Sequence, residues 1–236
     1  MMNIKGIIFD YGGTIDTNST HWSEVLWEGF LNSAVPVSKE QFRECYVHGE
    51  RTLAKFPLIK PEHNFLDLLR IKVDIETEYL SDNGFWTIDE EPRKRISNDI
   101  ARYCYDYVLR VLHTSREVIA RLAEKYPLVL VSNFYGNIQT ILRDFRLEYF
   151  QSIVESAVVG VRKPDPRIFQ LGVDALGLPP EEVVVVGDSF SKDIIPASSI
   201  GCKTVWIRGI GWGNETIDES VPTAILSDIA ELPQQL

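Results

Sequence analysis

The 236-residue sequence predicts an α/β protein, a doubly wound parallel sheet with an all-helical segment inserted after its first strand. Three observations lead there. Short β-branched runs, of which Val183–Val186 is the clearest, read as strands covered on both faces. From Thr114 onward such runs alternate with amphipathic stretches of helical period. Between about Thr17 and His113 valine-rich runs are missing, and apolar residues recur at helical spacing instead.

In chain order, Ile4–Phe9 is an apolar strand that runs into Asp10-Tyr11-Gly12-Gly13-Thr14. Trp22, Val25, Leu26 and Phe30 then form one helical stripe, and Ser38-Lys39-Glu40-Gln41 is a capping box that opens a second helix. Phe65, Leu68, Leu69 and Val73 mark a third, and Ser81-Asp82-Asn83-Gly84 is a loop signal. Pro92 precedes a long helix carrying Ile96, Ile100, Tyr103, Tyr107 and Leu112. Thr114-Ser115-Arg116-Glu117 reads as a second capping box, which predicts a fresh helix with Val118, Ile119, Leu122 and Ala123 on its inner face. Further strands are expected at Leu128–Val131, Ile153–Val154, Val183–Val186, Lys203–Ile207 and Ala224–Leu226. Helices are expected from about Asn137, after the N-cap Asp165 with Pro166 as first helical residue, and over Ser191–Ser199. The division that follows is an α/β core at 1–16 and 114–236 and a helical unit at 17–113. In an open parallel sheet, ligands bind at the carboxyl ends of the strands.

Bulk properties narrow the function. A 44% hydrophobic composition supports a packed core, and a formal net charge of −10 argues against a nucleic-acid or anionic-membrane surface. No apolar run approaches the roughly 20 residues of a membrane span, and Ile4–Phe9 is too short for a leader. Cys45, Cys104 and Cys202 are widely spaced, with neither metal-ligand nor disulfide spacing. A reduced cytoplasm is the expected location, with a small molecule as partner. His21, His48, His63 and His113 likewise lack ligand spacing. Gly209-Ile210-Gly211-Trp212-Gly213 reads as a mobile loop and is too weak a signal for a dinucleotide site.

Four strand ends carry chemistry. Asp10 follows the first strand, Ser132-Asn133 follows Leu128–Val131, Lys163 lies in Gly160-Val161-Arg162-Lys163-Pro164-Asp165-Pro166, and Asp188 follows Val183–Val186 in Gly187-Asp188-Ser189. A carboxylate above a glycine turn can attack an electrophile, and turn N–H groups can face an anion. A hydroxyl and free N–H at Ser132 suit a phosphate oxygen, with Asn133 supplying backbone polarity and loop shape. An ammonium suits the charge that develops in phosphoryl transfer. Arg162, next to Lys163, is expected to face away.

This series of motifs resembles the haloacid dehalogenase-like hydrolase superfamily, in the subclass with a helical cap between its first and second motifs. The resemblance spans the core; in the cap it covers placement and helical character only. It implies a Rossmann-like core and a magnesium-dependent hydrolase. The reaction implied is that of a phosphatase on a small phosphorylated metabolite, with Asp10 forming an aspartyl phosphate. It implies phosphate binding by Ser132, Asn133 and Lys163. Magnesium would be held by Asp10, the Gly12 carbonyl and Asp188, with Asp193 acting through water or by orienting Lys163. For Asp193 an alternative stands open: an acid at a helix N-terminus, favoured by the macrodipole.

The sequence departs from the family at Gly12, where its phosphatases carry an acid/base aspartate. Glycine cannot protonate a leaving oxygen or activate water, which removes a contribution of about 10²–10⁴-fold. Asp16 and His21 are nearby in sequence as replacement acids. Three other readings compete: a non-catalytic phosphate-binding relative, a carbon–halogen dehalogenase of the 2-haloacid type, and a phosphonate hydrolase. The last requires a Schiff-base lysine among Lys39, Lys55, Lys60, Lys72 and Lys94. In the cap, Trp22, Trp27, Phe85 and Trp86 are available to line a pocket or to pack the helices.

Overall fold

In a computed structural model, residues 3–209 and 217–236 are described. Of the glycine-rich stretch at 209–213, all but Gly209 lies outside them. Six parallel strands form one sheet in the order β3-β2-β1-β4-β5-β6. They are β1 (Gly6–Phe9), β2 (Leu128–Ser132), β3 (Ser152–Glu155), β4 (Val183–Gly187), β5 (Lys203–Ile207) and β6 (Ala224–Leu226). The strand order turns outward in both directions from the β1–β4 pair, which is where a doubly wound sheet opens its ligand crevice.

Period-two alternation decides which face each residue covers. Ile7, Phe9, Leu128, Leu130, Val184 and Val186 join one buried cluster. Ile8, Val129, Val131, Val183 and Val185 join another. Helix α7 (Arg167–Leu176) covers the second face with Ile168, Phe169 and Val173, joined by Ala197 of α8 (Ile195–Ser199). On the first face lie α5 (Ile138–Asp144), the C-terminal half of α4 (Glu90–Ala123) and the terminal turn α9 (Leu232–Gln235). A single turn, α6 (Ser156–Val159), follows β3. The expected cap at Asp165 forms, its Oδ1 accepting from Arg167 N at 3.0 Å.

Between β1 and β2 run four helices: α1 (Trp22–Asn32), α2 (Lys39–Lys55), α3 (Phe65–Asp82) and α4 (Glu90–Ala123). The Ser38/Gln41 capping box is present, and a second, Asn64/Asp67, opens α3. The start expected at Thr114 does not occur. One helix runs from Glu90 through Ala123, with Pro92 tolerated in its first turn. Nothing between Arg93 and Ala123 breaks it, so Thr114 has no free N–H to cap, and Ser115 Oγ instead donates to Ile15 O at 2.8 Å. Roughly 50 Å long by its residue count, α4 packs Ile100, Cys104 and Val108 among the inserted helices and Val118, Ile119 and Leu122 against the sheet.

Glu76 of α3 is fully buried, and neither carboxylate oxygen has a hydrogen-bond partner. Burial pushes its pKa up to about 8, opposed by Lys72 and assisted by Glu50. An unfolded Glu titrates near ~4.3, so between there and pH ~8 the native state keeps a proton that the unfolded chain loses. Stability contributed by this group therefore falls as pH rises through that window. We expect the melting temperature to fall more steeply between about pH 5 and pH 8 in the wild type than in Glu76→Gln. Equal slopes in paired thermal melts would remove Glu76 as the cause.

Candidate active site

Asp10 extends β1, its N–H donating to Val186 O at 2.9 Å, which fixes its backbone beside the end of β4. The residue is 5% exposed. Oδ1 accepts from Lys163 Nζ at 2.6 Å and from Ser132 Oγ at 3.2 Å. Oδ2 accepts from Thr14 Oγ1 at 3.4 Å. Thr14 also reaches Asp188 Oδ1 at 3.1 Å, a bridge whose importance is not legible in the sequence. Lys163 Nζ spans Asp10 Oδ1 and Asp193 Oδ1, both at 2.6 Å. Residues from β1, β2, β4 and the loop before α7 thus converge on one point.

Local backbone chemistry makes the approach possible. Gly13 has φ +98°, and a Cβ there would lie 2.4 Å from Asp188 Oδ2. A Cβ on Gly187 would lie 2.5 Å from Asp193 Cβ. A π-helical turn, Phe190–Ile194, precedes α8. It folds Asp193 back so that Oδ2 accepts from Ser189 N at 3.0 Å while Oδ1 faces Lys163. Asp193 thus satisfies a helix start and holds the lysine at once.

Asn133 grips the backbone of Lys163 with both ends of its amide. Its Oδ1 accepts from Lys163 N at 2.9 Å and its Nδ2 donates to Lys163 O at 3.1 Å. The Asn133 side chain therefore sets the lysine loop, leaving its main chain for any anion.

One oxygen each from Asp10, Asp188 and Asp193 lies within 4.8 Å of the others. Among the described residues Lys163 is their only ion-pair partner, so the three carboxylates repel one another. Burial, then Asp10 and Asp193, hold the Asp188 carboxyl well above its ordinary pKa. Burial likewise pushes Asp193 up to about 6, against the pull of Lys163 and with Asp10 adding. Burial would lower Lys163, but Asp10 and Asp193 outweigh it and keep it an ammonium. An all-oxygen set short of positive charge fits a hard divalent cation.

These groups line a cavity of about 810 Å³ whose other walls come both from the inserted segment, with Tyr46, Phe65 and Leu69, and from core loops, with Phe134, Tyr135 and Phe190. Gly12 lines it, and a Cβ on Gly12 would meet nothing within 4 Å. Asp16 also lines it, with Oδ1 accepting from Gly13 N at 2.7 Å and Oδ2 from Trp22 Nε1 at 3.0 Å. Burial raises its pKa to about 7 against those two hydrogen bonds. His21 is pushed down to about 4 by burial and then by Lys192, so its ring is neutral near pH 7, and Nδ1 caps α1 by accepting from Ser23 N. Of the four aromatics singled out in the insertion, Trp22 lines the cavity, whereas Trp27 packs on Phe42 and Phe85 near Tyr79. Trp86 is buried in the core. Arg162 borders the cavity but is exposed, unlike the buried Lys163 next to it.

A parallel sheet with carboxylates, a hydroxyl and an ammonium meeting at its strand ends defines a hydrolase-type active site, and sequence comparison gives the lineage. The profile of the haloacid dehalogenase-like hydrolases matches residues 4–201, and the chain belongs to that family. It is 32% identical over 215 residues to the glyceraldehyde 3-phosphate phosphatase of Pyrococcus furiosus, covering 88% of this chain and 82% of that one. The Pyrococcus abyssi enzyme of the same name is 30% identical over 212 residues, covering 87% and 82%. Among solved structures, the YfnB protein of Bacillus subtilis, crystallised with magnesium, superposes with TM-score 0.62 at 19% identity, covering 99% of each chain. A dehalogenase superposes with TM-score 0.65 at 20% identity, covering 100% of this chain and 98% of its own. At these identities the two structures speak for the fold alone. Among the described residues, no helix is long and apolar enough to cross a membrane.

Proposed function

We propose that the protein is a magnesium-dependent phosphatase of small phosphorylated metabolites, working through an aspartyl phosphate on Asp10 with weakened acid/base catalysis. The observation that carries this reading is the position of Lys163 between Asp10 and Asp193, with Ser132 on the same Asp10 oxygen. Asp10 is thereby oriented as a nucleophile. Lys163, Ser132 and the main chain at Asn133 receive the phosphoryl oxygens. An Asp10 oxygen bonds to phosphorus as the ester bond breaks, and the departing oxygen leaves with the electron pair. Water then attacks phosphorus, releasing inorganic phosphate and restoring Asp10. Magnesium, held by Asp10, the Gly12 carbonyl and Asp188, would neutralise phosphate charge.

Neither neighbour supplies the acid that Gly12 lacks. His21 is neutral and occupied with α1, while both Asp16 oxygens face fixed donors. Departing alkoxides consequently go unprotonated by the protein, and aryl or acyl phosphates are favoured over alkyl ones. Of the five lysines open to the phosphonate reading, three are engaged in ion pairs, whereas Lys55 lines the cavity, and borohydride trapping is the test of that reading. Lys39 and Lys94 pair with Glu24 and Glu90. The buried Lys72 is held by Glu50 as an ammonium, since that attraction outweighs the lowering by burial.

A phosphoester panel with magnesium or with chelator is the test. We expect aryl phosphate turnover that chelator abolishes and added magnesium restores. Binding of phosphate and magnesium without any hydrolysis would replace this reading with a non-catalytic binder. Metal-independent halide release from a 2-haloacid would replace it with a dehalogenase.

A further inference from the structure

Trp206 belongs to β5, outside the four motifs at the strand ends, yet it stands beside the acidic cluster. The pairing of β4 with β5 ends at Gly187 and Trp206, one residue before Asp188. There the indole takes over from the ladder. Trp206 Nε1 donates to the main-chain carbonyl of Asp188 at 2.8 Å. The ring packs on Phe190, with centroids 5.5 Å apart, and Trp206, Phe190 and Ile194 form a small buried cluster. Phe190 and Ile194 begin and end the π-helical turn that carries Asp193. Trp206 itself is 5% exposed, and the Arg208 guanidinium lies 5.1 Å from its ring centre. One side chain thus reaches both the main chain of Asp188 and the turn bearing Asp193.

These contacts matter because the acids resist being gathered. One oxygen from each of Asp10, Asp188 and Asp193 lies within 4.8 Å of the others, and like charges at that range repel. Lys163 forms ion pairs with Asp10 and Asp193. Asp188 is held instead by a neutral donor, Thr14 Oγ1 at 3.1 Å, and by the indole bond to its carbonyl. A ligand fixed before a cation arrives binds it more tightly than one that must first be ordered. A buried indole N–H needs an acceptor in any fold, and here the acceptor is the backbone of an acid in the cluster.

Resting on the magnesium site of the phosphatase reading, we propose that Trp206 is a positioning residue for that site. It holds Asp188 by its carbonyl and the Asp193 turn by its ring, so that the three carboxylates stay gathered for the cation. Its effect falls on magnesium affinity, since the bond is to Asp188 and not to the nucleophile.

The test titrates magnesium chloride, without substrate, into wild type, Trp206→Phe and Trp27→Phe in a calorimeter. Phenylalanine keeps a ring against Phe190 and deletes the N–H. Trp27, packed on Phe42 among the inserted helices, is the control. Loss of one hydrogen bond is expected to weaken magnesium binding at least about fivefold in Trp206→Phe, with little change in Trp27→Phe. The accompanying loss of aryl phosphate turnover should shrink as magnesium is raised, with KM for the phosphoester unaltered. In the wild type, the indole N–H resonance of Trp206 should move on magnesium addition at the calorimetric midpoint, a readout that needs no variant to fold. Equal magnesium affinity in wild type and Trp206→Phe, or an indole signal that magnesium leaves in place, would overturn the proposal. A lower melting temperature with affinity intact would reduce Trp206 to packing. Wild-type protein that binds no magnesium would instead sink the metal of the phosphatase reading, and this role with it.

Discussion

Replacing Asp10 by Asn is expected to lower phosphoester turnover by about 10⁴-fold or more while the protein stays folded. The amide is isosteric. Its oxygen still accepts from Lys163, at 2.6 Å in the wild type, and from Ser132, at 3.2 Å. It cannot attack phosphorus. The substitution also removes one of three carboxylates crowded within 4.8 Å, so the metal-free variant should melt no lower than the wild type. Steady-state assays and thermal melts read the two halves of this expectation separately. In the wild type, acid quenching during turnover should leave a phosphoryl adduct on the peptide that contains Asp10. Retention of a tenth of wild-type activity by a folded Asp10→Asn protein would remove Asp10 as nucleophile.

Gly12→Asp is expected to raise alkyl phosphate turnover by about ten- to a hundredfold, with a much smaller effect on aryl phosphates. The space exists: a Cβ at position 12 meets no heavy atom within 4 Å, and the position lines the cavity next to Asp10. Added in this crowded site, the new carboxyl is pushed toward its protonated form by Asp10 and Asp188 and can donate to a departing alkoxide. Aryl phosphates leave without that proton, so the ratio of alkyl to aryl kcat is the diagnostic. An unaltered ratio in a correctly folded variant would show that position 12 is not where this chain lacks its acid.

Much of the architecture follows from local pattern. Uninterrupted valines at β4 and period-two burial in β1 and β2 require a covered parallel sheet, and the strands emerge close to where alternation places them. Asp10, Ser132 and Asp188 are legible because each follows or ends an apolar run, where a polar side chain must leave the core; Lys163, in the loop before α7, is legible only from its Lys-Pro-Asp-Pro setting. The helix boundary expected at Thr114 fails for the opposite reason. A capping box carries meaning only where the preceding turn ends, and nothing upstream ends α4.

Sequence alone determined the order of elements, the four chemical groups at the strand ends and the missing carboxyl at position 12, because each depends on neighbours along the chain. Tertiary structure alone decided what those groups touch: the Asn133 clamp on Lys163 and the Thr14 bridge between Asp10 and Asp188. Charge and hydrogen-bond energies depend on distances of a few ångströms between residues far apart in the chain, and folding sets those distances.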